Sequence, residues 1–137
     1  MIYLAGPLFT AAERSFNNKL ARALEKALNE KIFLPQDECA SYTEPEDIFT
    51  CCRDGIDRSR MVIAVLDGPD ADSGTAFEAG YAYAREIPVI GIRTDFRQCG
   101  DDGGLNLMLS KSCHRLITVS SLHNDDCITE IIRSLKT

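Results

Sequence analysis

Histidine is scarce in this chain: only His114 and His123 occur among 137 residues. His114 directly follows Cys113, the wrong spacing for a zinc hairpin, and the six cysteines (39, 51, 52, 99, 113 and 127) include no C-x-x-C pair. That pattern speaks against a structural zinc site. Basic runs are missing too, and the formal net charge of −6 argues against a general nucleic-acid binder, which would present a basic face. No apolar stretch approaches the ~20 residues a membrane span needs. "MIYLAGPLF" lacks the basic n-region and the long h-region of a secretory signal, so the cysteines are expected to be reduced, mostly core thiols of a cytoplasmic protein. The loop "AGPLF" lacks the later glycines of G-x-G-x-x-G and the Gly-Lys-Ser/Thr of a P-loop, which disfavours a dinucleotide or triphosphate cradle.

What is present is alternation. Short apolar runs at 2–5, 31–35, 61–67, 87–92 and 115–119 read as strands, several of them closed by Gly or Pro. Between them, apolar residues recur at helical spacing: Phe16, Leu20, Leu24 and Leu28; then Ile48, Cys52 and Ile56; finally Ile128, Ile131, Ile132 and Leu135. Thr10–Glu13, Thr43–Glu46 and Thr75–Glu78 each show the T-x-x-E spacing of a capping box. A polar loop is expected after Pro35, another loop over 93–104, and a short helix over 105–110. The pattern predicts one α/β domain over 1–137: a five-stranded, doubly wound parallel sheet with helices on both faces, its central strand at 61–66. Ligands of such sheets bind beyond the carboxyl ends of the strands. The segments that matter are then Gly6-Pro7-Leu8-Phe9, Pro35–Glu38, Asp67 through Glu78, and Arg93–Asp95.

The loop after the third strand is acidic, with Asp67, Asp70, Asp72 and then Glu78 in "DSGTAFEAGYA". Three readings compete. A solvated turn followed by a helix cap is the plainest. Carboxylates also suit Mg²⁺ or Ca²⁺, but no EF-hand spacing is present. The third is carboxylate catalysis at a glycosidic carbon: Glu78, held ionised near a helix N-terminus, as nucleophile, with Asp72 across the substrate. Phe9 and Leu8 form an apolar lip suited to a flat ring.

"IYLAGPLF", "VIAVLDGPDADSGTAFEAGYA" and "NLML" (106–109), in this order from residue 2 to about 110, resemble the nucleoside 2-deoxyribosyltransferases. The resemblance implies a flavodoxin-like domain that forms homodimers or larger homo-oligomers. It implies that Glu78 attacks C1′ of a 2′-deoxynucleoside, giving a covalent deoxyribosyl-enzyme that passes the sugar to a second base with retention at C1′. Tyr3 would orient that carboxylate, Asp72 would contact base or sugar and help move a proton, and Asn106 would reach the 5′ side of the sugar from the neighbouring subunit. Gly6, Pro7 and Phe9 would line the substrate. The family often carries an aspartate against the departing base at the position held here by Cys52, which the helical spacing also places on the buried Ile48/Ile56 stripe. Tyr3 could equally be a core aromatic, and Asn106 a helix cap.

Nucleosides and nucleobases are the expected small-molecule partners, with no nucleic acid, no membrane, no metal and no organic cofactor. A 2′-deoxynucleoside 5′-phosphate N-hydrolase is the near rival; such relatives carry Ser and Arg in the first loop and serine at the position of Asp72. A non-catalytic nucleotide-sensing domain is the rival of another class. The "GLNLMLS" segment, with Leu105, Leu107, Met108 and Leu109, is expected to be covered by a symmetric partner.

Overall fold

A computed structural model of the protein describes residues 1–120, 122 and 126–137; His123 lies outside them. Five parallel strands, β1 (Ile2–Ala5), β2 (Ile32–Phe33), β3 (Val62–Val65), β4 (Val89–Arg93) and β5 (Arg115–Thr118), form one sheet in the order β2-β1-β3-β4-β5. β3 is central, as the β-branched run predicts, and strand order reverses between β1 and β3. Among the described residues, six helices lie between and after the strands: α1 (Ala11–Leu28), α2 (Pro35–Glu38), α3 (Pro45–Asp57), α4 (Ser73–Ala84), α5 (Leu107–Ser112) and α6 (Cys127–Lys136).

Period-two side-chain alternation in the strands builds two cores. Ile2, Leu4, Ile63, Val65, Ile92 and Ile117 face α1 and α6, meeting Leu20, Leu24 and Ile131. Tyr3, Ala5, Val62, Ala64 and Leu66 face the other way, onto Ile56 of α3 and Ala79 and Ala82 of α4. Tyr3 thus points into the same layer as α4. Beneath it, the Phe33 ring stacks on Tyr3 at 5.2 Å. Gly55 lets α3 close on that ring, since a Cβ there would sit 2.7 Å from Phe33 atoms.

Several local expectations need correction. Thr10 and Glu13 do form a reciprocal capping box. Thr75 and Glu78 do not: α4 is capped by Asp72, whose Oδ2 accepts from the Thr75 N–H at 2.9 Å and from its hydroxyl at 3.0 Å. The helix starts one turn earlier than the T-x-x-E spacing implies, so Glu78 has no capping duty. At α3, Glu44 rather than Thr43 is the N-cap, with no side-chain cap bond, because Pro45 occupies the first turn and brings no N–H. Ile48 is 38% exposed and Cys52 half-buried, leaving Ile56 as the buried member of that stripe. Residues 35–38, expected as loop, form a helical turn begun by Pro35. The short helix is shifted to 107–112, and Leu105 before it is buried rather than exposed.

The cysteines are not all reduced. Cys39, at the end of α2, is disulfide-bonded to Cys51 of α3, because α2–α3 packing sets their Cα atoms 6.1 Å apart, within bridging range. Cys52, Cys99 and Cys113 are free thiols. Among the described residues no helix is long and apolar enough to cross a membrane.

Candidate active site

Tyr3 and Glu78 meet at the switch point of the sheet. β1 carries the Tyr3 ring into the layer beneath α4, and its hydroxyl donates to Glu78 Oε1 at 2.5 Å. Glu78 comes off the second turn of α4, on the side that faces the sheet. Burial raises the Glu78 carboxyl, the Tyr3 bond lowers it, and the nearby Asp72 carboxylate raises it again, leaving it at about 7. The expectation of a carboxylate held ionised by the helix dipole is therefore corrected: removal from water outweighs the terminus. Burial first, and then the Glu78 charge, push the Tyr3 phenol far above its ordinary range, so it stays a neutral donor.

Asp72 sits close enough to repel Glu78 while its Oδ2 caps α4. Cys52 packs against the core cluster that contains Tyr3, and burial raises its thiol, with the nearby Glu78 charge adding to it. The structure thus gathers Tyr3, Glu78, Asp72 and Cys52 at one place. Gly6 and Pro7 leave β1 at the same sheet edge, and Phe9 follows them, 74% exposed.

Asn106 stands apart. Its Oδ1 accepts from the Met108 and Leu109 N–H groups, so it caps α5. It lines a groove of about 620 Å³ between α4 and α5 with Ala76, Gly80, Tyr83 and Met108, a lining that does not include Glu78. No hydrogen bond joins Asn106 to Glu78 of its own chain, since the Asn106 Oδ1 is taken up by the α5 cap and the Glu78 Oε1 by Tyr3.

Two supporting groups were not evident from sequence. Asn17, 2% exposed on α1, donates to the Pro7 carbonyl at 2.9 Å and to Gln36 at 3.3 Å, tying the first loop down. A polar residue within the Phe16–Leu20–Leu24 stripe was the available signal. Buried Arg93 donates to the Leu66, Gly68 and Arg97 carbonyls, while Asp67 accepts from Thr94 and the Asp95 N–H. These bonds fix the turn that leads to Asp72. Gly68, at φ 121°, permits that turn. Among the described residues no group of three or more His, Cys, Asp or Glu is placed to hold a metal ion.

Comparison with known proteins agrees with this fold. Residues 2–109 are matched by the family described as nucleoside 2-deoxyribosyltransferase. The chain belongs to that family. Among solved structures it is similar to a conserved protein from Enterococcus faecalis V583, at 27% identity and TM-score 0.77 over 98% of this chain and 96% of that one. It is similar also to a 2-desoxiribosyltransferase from Leishmania mexicana, at 26% identity and TM-score 0.67 over 96% of each chain. A CMP N-glycosidase from Clostridium botulinum, BcmB, shares the fold at 18% identity and TM-score 0.65 over 98% of this chain and 97% of that one. No curated protein matches the chain.

Proposed function

We propose that the protein exchanges the base of a 2′-deoxynucleoside through a covalent deoxyribosyl-Glu78 intermediate, with retention at C1′. The observation that carries this reading is the Tyr3–Glu78 hydrogen bond at the switch point of the sheet. A half-buried glutamate oriented by a neutral phenol, with a second carboxylate beside it, supplies the pair of carboxyl groups that retaining glycosyl transfer uses.

In the first half-reaction a Glu78 oxygen attacks C1′. The N-glycosidic bond breaks, its electron pair goes to the departing base, and a proton taken from solvent and passed on by Asp72 neutralises that base. Tyr3 orients the carboxylate by binding Oε1. In the second half a ring nitrogen of an incoming base attacks C1′, displaces Glu78 and gives up its proton. Two inversions leave C1′ as it began. Phe9 and the Gly6-Pro7 turn offer an apolar face for the flat base, and Cys52 lies beside it. The chemistry asks for no metal or organic cofactor, since a carboxylate meets the charge developing at the sugar.

The near alternative is hydrolysis of a 2′-deoxynucleoside 5′-phosphate, with water replacing the second base. Pro7-Leu8-Phe9 supplies no cation for a phosphate and Asp72 would repel one, which favours free nucleosides. A purely sensory domain would have no use for an apposed nucleophile. Incubation with deoxyinosine, with and without adenine, separates the readings. Deoxyadenosine formed only with adenine is expected; hypoxanthine released without an acceptor would make the protein a hydrolase, and no turnover in either case would weaken both readings.

The working unit in this proposal is a homodimer or larger homo-oligomer of 1–137 domains, in the cytoplasm, in which Asn106 completes the neighbour's site. Supporting it, Phe49, Phe77, Tyr83, Leu107 and Met108 are all exposed on α3, α4 and α5, and Phe77 packs against both Phe49 and Tyr81.

A further inference from the structure

Three sulfur atoms converge behind Tyr3. Cys39 ends α2, and Cys51 and Cys52 follow one another on α3. Cys39 is bonded to Cys51, yet Cys52 Sγ lies only 3.9 Å from Cys39 Sγ. Cys52 also packs against the core cluster that contains Tyr3, whose hydroxyl donates to Glu78. Cys39 is buried in the core cluster that contains Tyr3, and both helical cysteines pack against that cluster. The disulfide, Cys52, Tyr3 and the carboxylate it binds therefore share one packed layer.

A thiol in contact with one sulfur of a disulfide can exchange with it by direct attack, without any oxidant. We infer that Cys39 exchanges its disulfide partner between Cys51 and Cys52, so that this cluster is a thiol–disulfide modification site acting on the Tyr3–Glu78 pair. Cys52, as thiolate, attacks Cys39 Sγ. The Cys39–Cys51 bond breaks, Cys51 departs as thiolate, and the proton lost by Cys52 ends on Cys51 by way of solvent. One S–S bond forms and one breaks, with no net electron transfer.

The two forms differ at the site. With Cys39–Cys51 bonded, a thiol sits beside Tyr3 and can both donate and accept. With Cys39–Cys52 bonded, that sulfur is drawn from 3.9 Å to covalent distance from Cys39 and carries no proton. Tyr3 loses its neighbour, and the glutamate it orients shifts with it. Cys51, released, lies outside the pair. The exchanged form is the less active one, since a displacement on the order of 1 Å in a positioned group costs roughly tenfold or more in rate.

The effect on turnover rests on the base-exchange reading, whereas the exchange itself does not, and the experiment reads them separately. All three cysteines lie in one tryptic peptide, residues 32–53. Alkylation of the free thiol followed by peptide fragmentation therefore identifies the unbonded cysteine. In the wild-type protein, incubation at alkaline pH is expected to move part of the label from Cys52 to Cys51. Cys51→Ser, treated with oxidised glutathione, is expected to form Cys39–Cys52, to lose about tenfold in kcat relative to its own reduced form, and to recover with dithiothreitol. Cys52→Ser, oxidised in the same way, should keep the kcat of its own reduced form. A carbon-13 label on the Glu78 carboxyl should change its chemical shift between oxidised and reduced Cys51→Ser whether or not the protein turns over. Label confined to Cys52 in the wild type, only a glutathione adduct in Cys51→Ser, or a Cys39–Cys52 form with unaltered Glu78 shift would each overturn the inference. Absence of turnover in the reduced wild type would instead count against the proposed function alone.

Discussion

Tyr3 and Glu78, separated by 75 positions in the chain, meet through a 2.5 Å hydrogen bond that joins strand β1 to helix α4. The bond opposes burial: it favours the ionised glutamate, while removal from water and the Asp72 charge favour the protonated one. Burial wins, and the carboxyl rests at about 7. A group poised there can be a nucleophile at mildly alkaline pH and is silenced by mild acid.

The first expectation is therefore an acid limb in the pH profile of kcat/KM. Activity should rise with pH through a midpoint of about 7 as Glu78 ionises. In Tyr3→Phe the opposing hydrogen bond is gone, so the midpoint should move up, with kcat about tenfold lower at pH 8. A midpoint that stays put in Tyr3→Phe would show that the phenol does not tune this carboxylate.

Glu78 also predicts a cost to stability. Its carboxyl is raised in the fold from 4.5 to about 7. Between those values the folded chain holds a proton that the unfolded chain has lost, so stability falls as pH rises through that window. The full effect is about 3 kcal/mol above pH 7. Glu78→Gln, which keeps the shape and an acceptor for Tyr3, should abolish turnover. It should also be more stable than wild type by up to about 3 kcal/mol at pH 8 and nearly equal to it at pH 4.5, measured by urea unfolding. Equal stability at both values would mean that Glu78 is better solvated than its surroundings indicate.

Asp72 carries two burdens that substitution can divide. Asp72→Ala removes the α4 cap and should cost about 1 kcal/mol. Asp72→Asn keeps an oxygen for the Thr75 N–H and should leave stability nearly unchanged. Without the repelling charge, the Glu78 midpoint should fall in both variants. If Asp72→Asn retained full transfer activity, Asp72 would be a cap and nothing more.

The architecture was readable because β-branched runs and helical stripes each carry their own period. All five strands and the order of layers followed from 62–65, 89–93 and their neighbours. The tyrosine–glutamate pair was readable as two motifs, and as a contact only through the family resemblance, since nothing in the spacing of residues 3 and 78 brings them together. Other features had no local signal. T-x-x-E at 75–78 mimics a cap, but the helix had already begun at Asp72, which only the three-dimensional start of α4 reveals. The raised Glu78 carboxyl depends on burial created by β1 and α3. The Cys39–Cys51 bond follows no spacing rule, since α2–α3 packing brings the two together. Leu105 looked like part of an exposed apolar helix, but it lies before α5 and turns inward.

The last expectation concerns Asn106. On its own chain this residue caps α5 and lines the α4–α5 groove, whose lining does not include Tyr3 or Glu78. Its surroundings are apolar and uncovered: Met108 is 75% exposed, with Tyr83 and Leu107 also open to solvent. A two-fold partner laid over α4 and α5 would bury these side chains and bring each Asn106 toward the opposite Glu78. Asn106→Ala and Glu78→Ala should each be inactive or nearly so as homo-oligomers. Unfolded and refolded together in equal amounts, about half the dimers would be mixed. Each mixed dimer would hold one site with native Glu78 from one chain and native Asn106 from the other, so about a quarter of wild-type activity should return. Asn106→Asp, which retains the cap acceptor, guards against loss by unfolding of α5 alone. If Asn106 serves the Glu78 of its own chain, mixing restores nothing. A protein that sediments as a monomer at assay concentration while fully active would likewise remove the shared site.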